Sequence, residues 1–328
     1  MKRILSLSLA FAIFLIPSIR SSAAPSADSV ERYLVVGFDE AAQNTDVIAV
    51  ISYQASKNRL TVLQIPRDTY FCFGGVQNKL NQLYPHVLAG RETKEAREEA
   101  MRALSDAVSS FLGLSIDRYV GVSLDDFSTV IDRIGGVSMT LPSEITYFDE
   151  ESGRKITLPQ GPRLLSGKES VAFVRYRVGY ANGDLGRIDA QKAFISALLS
   201  KFGSGLSLRA ICSVFSELRG STVTDLPLSL ALRCGYRFVS DYKRTDIFYL
   251  TLPGEPCMFR GISYYVANRA SSEGAISKWL CFSESPARFD PLGKLTDPRA
   301  AEILEIYQRD SVPYHVYTDA ELRLSSSS

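Results

Sequence analysis

The chain has 328 residues, 45% of them hydrophobic and 22% charged, with 14 Pro and 22 Gly, an ordinary globular composition that excludes a disordered or collagen-like chain. Thirty-seven Lys and Arg against 36 Asp and Glu leave a formal charge of +1, so no global field draws the protein onto nucleic acid or an anionic bilayer, nucleic acid is not an expected partner, and any basic site must be local. Two His residues, His86 and His315, are too little material for a His-based metal site or a Ser-His-Asp triad. Five Cys (Cys72, Cys212, Cys234, Cys257 and Cys281) form no CxxC pair, and the last four could pair in three ways in an oxidising compartment. The available chemistry is therefore that of carboxylates, Arg and Lys.

Met1-Lys2-Arg3 precedes an apolar run from Ile4 to Ile19, followed by Arg20 and small residues up to Ala24. A basic region, a hydrophobic region and small residues read as an export signal over residues 1–24. Sixteen residues at helical rise span ~24 Å, short of a hydrocarbon core, whereas Pro25 disfavours cleavage; a cleaved signal and a retained anchor both stay open. Either places the protein extracytoplasmically, on the outer face of the membrane or in the wall.

Tyr33 to Gly37, Val47 to Tyr53 and Leu60 to Ile65 read as strands, the second hydrophobic enough to be covered on both faces. Thr93 to Leu112 keeps apolar residues at helical spacing and is followed by Gly113. A strand at Arg118 to Ser123, a helix at Asp125 to Ile134 and a strand at Val137 to Leu141 continue the alternation. Ser143 to Gly161 reads as an irregular surface excursion. Ser166 to Phe173 is predicted helical, Val174 to Arg177 extended, Gly179 to Asp184 a loop, Leu185 to Phe202 helical, and Ile247 to Leu252 a strand. The expected fold is a single α/β domain, a central mixed sheet with helices on both faces, over residues 30–203. An α/β elaboration at 204–320 is packed on it, and 321–328 is expected to be a disordered tail.

The chemically unusual residues gather at strand ends and loops: Asp39 and Asp46, Arg67-Asp68, Lys79 and Asn81, Arg175 and Arg177, Asp184 and Arg187. Strand ends of α/β sheets are where ligands bind. On an extended segment Arg175 and Arg177 would point to one side, and with Arg67 and Arg187 they suit a phosphate or pyrophosphate. Asp39 and Asp46 flank the site as carboxylates that fit Mg²⁺, which takes one or two carboxylates plus phosphate oxygens. Mn²⁺ is the alternative cation.

The order of these motifs resembles the LytR-CpsA-Psr family: Leu34-Val-Val-Gly-Phe-Asp39, Asn44-Thr-Asp46, Ile65-Pro-Arg67-Asp68-Thr69, Lys79-Leu-Asn81, Val174-Arg175-Tyr-Arg177 and Asp184-Leu-Gly-Arg187 with Gln191 behind it. The resemblance covers roughly Arg32 to Phe202. It implies an extracytoplasmic, magnesium-assisted transferase that moves a teichoic acid or capsular polysaccharide from a polyprenyl pyrophosphate carrier to peptidoglycan. It implies that Asp39 and Asp46 hold the metal, that Arg67, Arg175, Arg177 and Arg187 neutralise the pyrophosphate, and that Lys79, Asn81 and Gln191 contact substrate. Asp184 would serve either as a base or as the carboxylate that orients the arginines. Where relatives commonly carry Arg, this chain has Glu40, Asn44 and Asp189, which leaves fewer cations on that side. The membrane would be met through the N-terminal segment or the lipid substrate, for which the apolar faces of the 93–112 and 125–134 helices could line a pocket. The alternatives are a non-catalytic binder of polyprenyl phosphates or wall glycans, and a pyrophosphatase that uses the same residues with water.

Overall fold

The computed structural model describes residues 30–38, 45–73, 76–149, 153–180, 183–203, 214, 222–227, 229, 240–282, 288–292 and 300–325. In chain order the elements are β1 (Val30–Phe38), β2 (Thr45–Gln54), β3 (Arg59–Ile65), β4 (Tyr70–Phe73), β5 (Val76–Lys79), α1 (Leu83–Leu88), α2 (Lys94–Leu112), β6 (Arg118–Ser123), α3 (Leu124–Arg133) and β7 (Val137–Leu141). There follow β8 (Ile145–Asp149), β9 (Arg154–Leu158), β10 (Gly161–Leu165), α4 (Gly167–Arg175), α5 (Asp184–Gly203), β11 (Val223–Thr224), β12 (Asp246–Thr251), β13 (Gly254–Phe259), β14 (Ile262–Ala267), α6 (Arg269–Trp279), α7 (Ala301–Gln308), β15 (Val316–Thr318) and α8 (Asp319–Ser325).

Seven strands form one mixed sheet in the order β11-β6-β1-β2-β3-β12-β15. Strands β1 and β6 are parallel, as are β3 and β12, whereas β1–β2 and β2–β3 are antiparallel. The carboxyl ends of β1, β3, β6 and β12 and the amino end of β2 consequently share one edge of the sheet. Period-two alternation sends Tyr33, Val35, Ala49, Ile51 and Val62 to one face, where they meet Phe127 and Ile131 of α3, Phe173 of α4 and Phe194 and Leu198 of α5. Leu34, Val36, Ile48, Val50 and Leu63 go to the other face, against Leu104 and Val108 of α2, Ile276 of α6 and Ile303 of α7. The expected mixed sheet with helices on both faces is what forms.

Local signals set most boundaries. Thr93 caps α2 by accepting from the Ala96 amide at 3.2 Å, and Gly113 ends it with φ +65°, where a Cβ would also lie 1.9 Å from the Arg288 carbonyl oxygen. Ser166 and Glu169 form a reciprocal capping box at the start of α4.

Five expectations change. Residues 145–158 are a β-hairpin, β8 against β9 with Ile145 opposite Leu158 and Asp149 opposite Arg154, not an irregular excursion; its short strands hide in a polar stretch because only one face is covered. The helix ending at 173 continues through Arg175, so 174–177 is not an extended segment. The C-terminal part is no appendage on a finished domain: β11, β12 and β15 belong to the central sheet, and β12 covers the flank of β3, which would otherwise be a bare edge. The apolar faces of α2 and α3 lie on opposite sides of the sheet and are core, so they do not line one shared pocket. The first residues of the expected tail lie in α8, with Leu322 buried. Cys72, Cys257 and Cys281 are free thiols. The 1–24 segment, Cys212 and Cys234 lie outside the described residues, and no helix among those described is long and apolar enough to cross a membrane.

Phe194 is fully buried and packs edge-on against Phe127 with ring centroids 5.6 Å apart. Phe194→Ala should lower unfolding free energy by about 3–5 kcal/mol. Phe148→Ala, at a side chain 58% exposed, should change it by less than about 0.5 kcal/mol in the same denaturant titration.

Candidate functional site

The sheet edge shared by β1, β2 and β3 collects the charges. After Ile65 a tight turn reverses the chain: the Thr69 amide donates to the Pro66 carbonyl at 3.0 Å, and the Thr69 hydroxyl donates to the same oxygen at 2.5 Å. The Asn81 amide donates to the Arg67 carbonyl at 3.0 Å and the Tyr265 amide to the Asp68 carbonyl at 2.9 Å. The turn bearing Arg67 and Asp68 is thus clamped by the 79–82 segment and by the C-terminal β13–β14 hairpin. From it Arg67 reaches across to Asp46, the second residue of β2, and donates from Nη1 to its carboxylate. Lys79 lies 3.2 Å from Asp68 and has its Nζ 5.6 Å from the Tyr264 ring centroid.

Helix α5 brings the other half. Asp184 in its first turn favours the helix dipole and pairs with Arg187 Nη2 at 2.7 Å, with the Arg187 side chain only 4% exposed. Gly186 between them is required by packing: a Cβ there would lie 2.5 Å from the Cβ of Tyr180, which folds across it. Burial would lower the Arg67 pKa, but Asp46, Asp68 and Asp184 outweigh it and raise the value above that of an ordinary guanidinium. For Arg187 burial wins: its pKa is lowered, pushed further down by Arg67 and Arg177 and opposed by Asp184 and Asp46. Those couplings place Arg67, Arg177, Arg187, Asp46 and Asp184 in one electrostatic unit. Within it the Nε atoms of Arg67 and Arg187 are buried and have no hydrogen-bond partner, so the cluster has more buried donors than acceptors.

Two expectations are corrected by this geometry. Arg175 and Arg177 do not leave one extended segment on one side: Arg175 ends α4, Tyr176 turns the chain with φ −58° and ψ 133°, and Arg177 follows in an exposed loop. Arg177 faces Arg187 electrostatically, whereas Arg175 donates from Nη1 to the Tyr147 hydroxyl at 2.5 Å. Gln191 is 2% exposed, and its amide is committed at both ends: Nε2 donates to the Val174 carbonyl at 3.1 Å and Oε1 accepts from Gln64 of β3. It braces α4 against the sheet one turn beyond Arg187. Asn81 is buried too, its backbone holding the Arg67 turn.

Asp39, with Glu40 and Asn44, lies outside the described residues. Among the described residues no group of three or more His, Cys, Asp or Glu could hold a metal ion. The sequence reading missed Gln64, Tyr147 and Tyr180. Gln64 carried a signal, as a lone polar residue on the buried alternation of β3; Tyr147 carried none, because its partner is 28 positions away. A separate groove of ≈ 630 Å³, lined by Met139, Arg163, Leu164, Ala197, Lys201 and others, opens beside the far half of α5, ~15–20 Å along the helix from Arg187 at 1.5 Å per residue.

The LytR_cpsA_psr family model matches residues 19–278, and the chain belongs to this family. It is 26% identical over 245 residues to the polyisoprenyl-teichoic acid–peptidoglycan teichoic acid transferase TagU of Bacillus subtilis (strain 168), with 73% of each chain covered. It is 28% identical to TagV of the same organism, a transferase of the same description, over 57% of this chain and 46% of TagV, so it spans under half the length of that relative. The cell wall biosynthesis protein LcpA of Corynebacterium glutamicum is 29% identical over 50% of this chain and 34% of its own. Among solved structures, TagV of B. subtilis superposes with a TM-score of 0.57 at 22% identity, covering 73% of this chain and 91% of that one. TagT bound to LIIa-WTA superposes with 0.58 at 23%, covering 79% and 92%. Both share the fold.

Gln191→Ala should cost about 1–3 kcal/mol of stability, because it leaves the Val174 carbonyl and the Gln64 amide buried and unpaired. Arg177→Ala, in the exposed loop, should stay within about 0.5 kcal/mol of the parent. Thermal and denaturant unfolding of the two variants side by side checks the contrast.

Proposed function

We propose that this chain is a phosphotransferase that moves a teichoic-acid- or capsule-type glycopolymer from a polyprenyl pyrophosphate carrier onto peptidoglycan, outside the cytoplasmic membrane. The observation that carries this reading is the convergence of half-buried Arg67, which follows the carboxyl end of β3 and is held by Asp46, with buried Arg187 of α5, held by Asp184. Such a pair is built for an anion with several oxygens and offers little to a neutral ligand. The transferase descriptions of TagU and TagV supply the polymer class and the acceptor.

In the reaction a sugar hydroxyl of peptidoglycan attacks the phosphorus that bears the polymer. A new P–O bond forms to that oxygen, the bond to the bridging pyrophosphate oxygen breaks, and polyprenyl phosphate leaves with the electron pair. Arg67, Arg177 and Arg187 hold the phosphate oxygens and offset the charge that builds on the leaving group, which is how phosphoryl transfer is mainly accelerated. The family resemblance assigns Arg175, at the end of α4, to the same group, and Lys79 pairs with Asp68 beside it. Asp184, beside Arg187 and about a third exposed, is placed either to take the hydroxyl proton or to keep Arg187 aimed.

Asp46 presents a hard oxygen donor beside Arg67, which suits Mg²⁺ or Mn²⁺ better than a soft metal. With no three-ligand cluster among the described residues, Asp46 and Asp39 would hold the ion and substrate phosphates and water would complete its shell. When bound, the ion supplies further neutralisation of phosphate charge.

The full chain in detergent, given a polyprenyl-pyrophosphate-linked polymer and peptidoglycan, should transfer polymer in a manner abolished by EDTA and restored by Mg²⁺ or Mn²⁺. Asp46→Ala and Arg187→Ala should each slow transfer by about 10²–10³-fold, the size of effect seen when one charge-stabilising group is removed. Full transfer by Asp46→Ala would show the catalytic reading to be wrong.

A further inference from the structure

Arg175 is the one arginine of the predicted set whose guanidinium is met by an aromatic hydroxyl. Its Nη1 donates to Tyr147 Oη at 2.5 Å, and its Cζ lies 5.6 Å from the centroid of the same ring. Tyr147 is the middle residue of β8 and sits opposite Ile156 of β9. The β8–β9 hairpin is a two-stranded unit outside the central sheet, so its position is set by its base and by its packing against α4. There Ile145 and Leu158 are each 1% exposed within the core, and Ile156 packs against that core as well. Tyr147 is two residues from that anchor and on the same face as Ile145, since side chains alternate along a strand. The hairpin therefore delivers a phenol to the end of α4 from a fixed point.

The consequence for Arg175 is chemical. A long, exposed arginine samples many rotamers, and an anion that binds it must order the side chain first. A guanidinium carries five N–H donors and a phenol oxygen accepts without charge, so the contact with Tyr147 uses one donor, leaves the cation un-neutralised and leaves donors for phosphate oxygens. The other arginines are held differently: Arg67 and Arg187 are held by carboxylates, which orient them and cancel part of their charge. A neutral holder at Arg175 keeps its full charge available to the guest. The backbone next to it is fixed too, since the Val174 carbonyl accepts from Gln191 at 3.1 Å.

We propose that Tyr147 is a positioning residue for the donor pyrophosphate: it pre-orients the Arg175 guanidinium without neutralising it. This rests on the reading of Arg175 as a pyrophosphate contact given above.

The test is a double-mutant cycle on the full chain in detergent, with geranylgeranyl pyrophosphate as the probe and calorimetric binding as the readout. The proteins are wild type, Tyr147→Phe, Arg175→Ala and the double variant. Tyr147→Phe keeps the ring and removes the hydroxyl alone, so the hairpin should remain folded, and an unchanged unfolding midpoint verifies it. Expected is roughly tenfold weaker binding for Tyr147→Phe, the equivalent of one hydrogen bond to a charged group, and no further loss when it is added to Arg175→Ala. Equal losses for Tyr147→Phe in both backgrounds, or no loss in the wild-type background while Arg175→Ala weakens binding, would overturn the positioning role and leave Arg175 in place. Wild-type affinity in Arg175→Ala would remove Arg175 from the site and the inference with it, whereas the transferase reading would still stand on Arg67 and Arg187.

Discussion

Much of the structure around the site keeps two guanidinia, buried Arg187 and half-buried Arg67, in one place. Arg187 sits in the first turn of a helix, where backbone amides already present partial positive charge, and its side chain is almost fully removed from water. A buried cation there is tolerable only with a carboxylate in contact, and Asp184, one turn earlier, provides it. The same constraint applies at Arg67 with Asp46. Two ion pairs from different elements, one helix and one sheet edge, thus lie close enough to influence each other electrostatically. Under the proposed function an incoming polyanion would meet guanidinia that carboxylates have already oriented, the condition under which charge stabilisation is strongest.

Holding that arrangement takes contacts from the whole chain. The Arg67–Asp68 turn is gripped from one side by the Asn81 amide and from the other by Tyr265 in the C-terminal hairpin. Strand β12 runs parallel to β3 and supports the strand that leads into the turn. Gln64 and Gln191 link that same strand to α5. The C-terminal part is therefore as much a component of the site as the motifs in the first two hundred residues, although it carries none of the charged residues proposed to touch the phosphate.

Legibility from sequence followed the range of the interaction. Helices α2 and α3 and strand β6 were readable because their caps and periodicities are local: Thr93, Gly113 and Ser123 announce themselves within four residues of what they bond. The end of α4 was not legible because Val174 and Tyr176 favour strands, whereas in the structure Arg175 closes the last turn and the Tyr176 amide donates back to the Ala172 carbonyl. The roles of Gln191 and Tyr147 depend on partners 127 and 28 positions away, distances at which no spacing rule operates. Asp39 was legible as a candidate carboxylate, but its geometry lies outside the described residues.

The sequence by itself determined the chemical inventory: few His, no CxxC, and a recurring set of Asp and Arg in a family-specific order at the ends of predicted strands. It also determined the alternation of elements that yields a mixed sheet with two covered faces, because burial pattern and caps are written within a few residues of one another. Only the tertiary structure decided which of those charges meet. Strand order places Asp46 beside Arg67, the packing of α5 on the sheet sets Arg187 against both, and the hairpin brings Tyr147 to Arg175. Those choices depend on chain crossing and on the shape of a packed core, and the energy that selects them is summed over contacts far apart in the sequence.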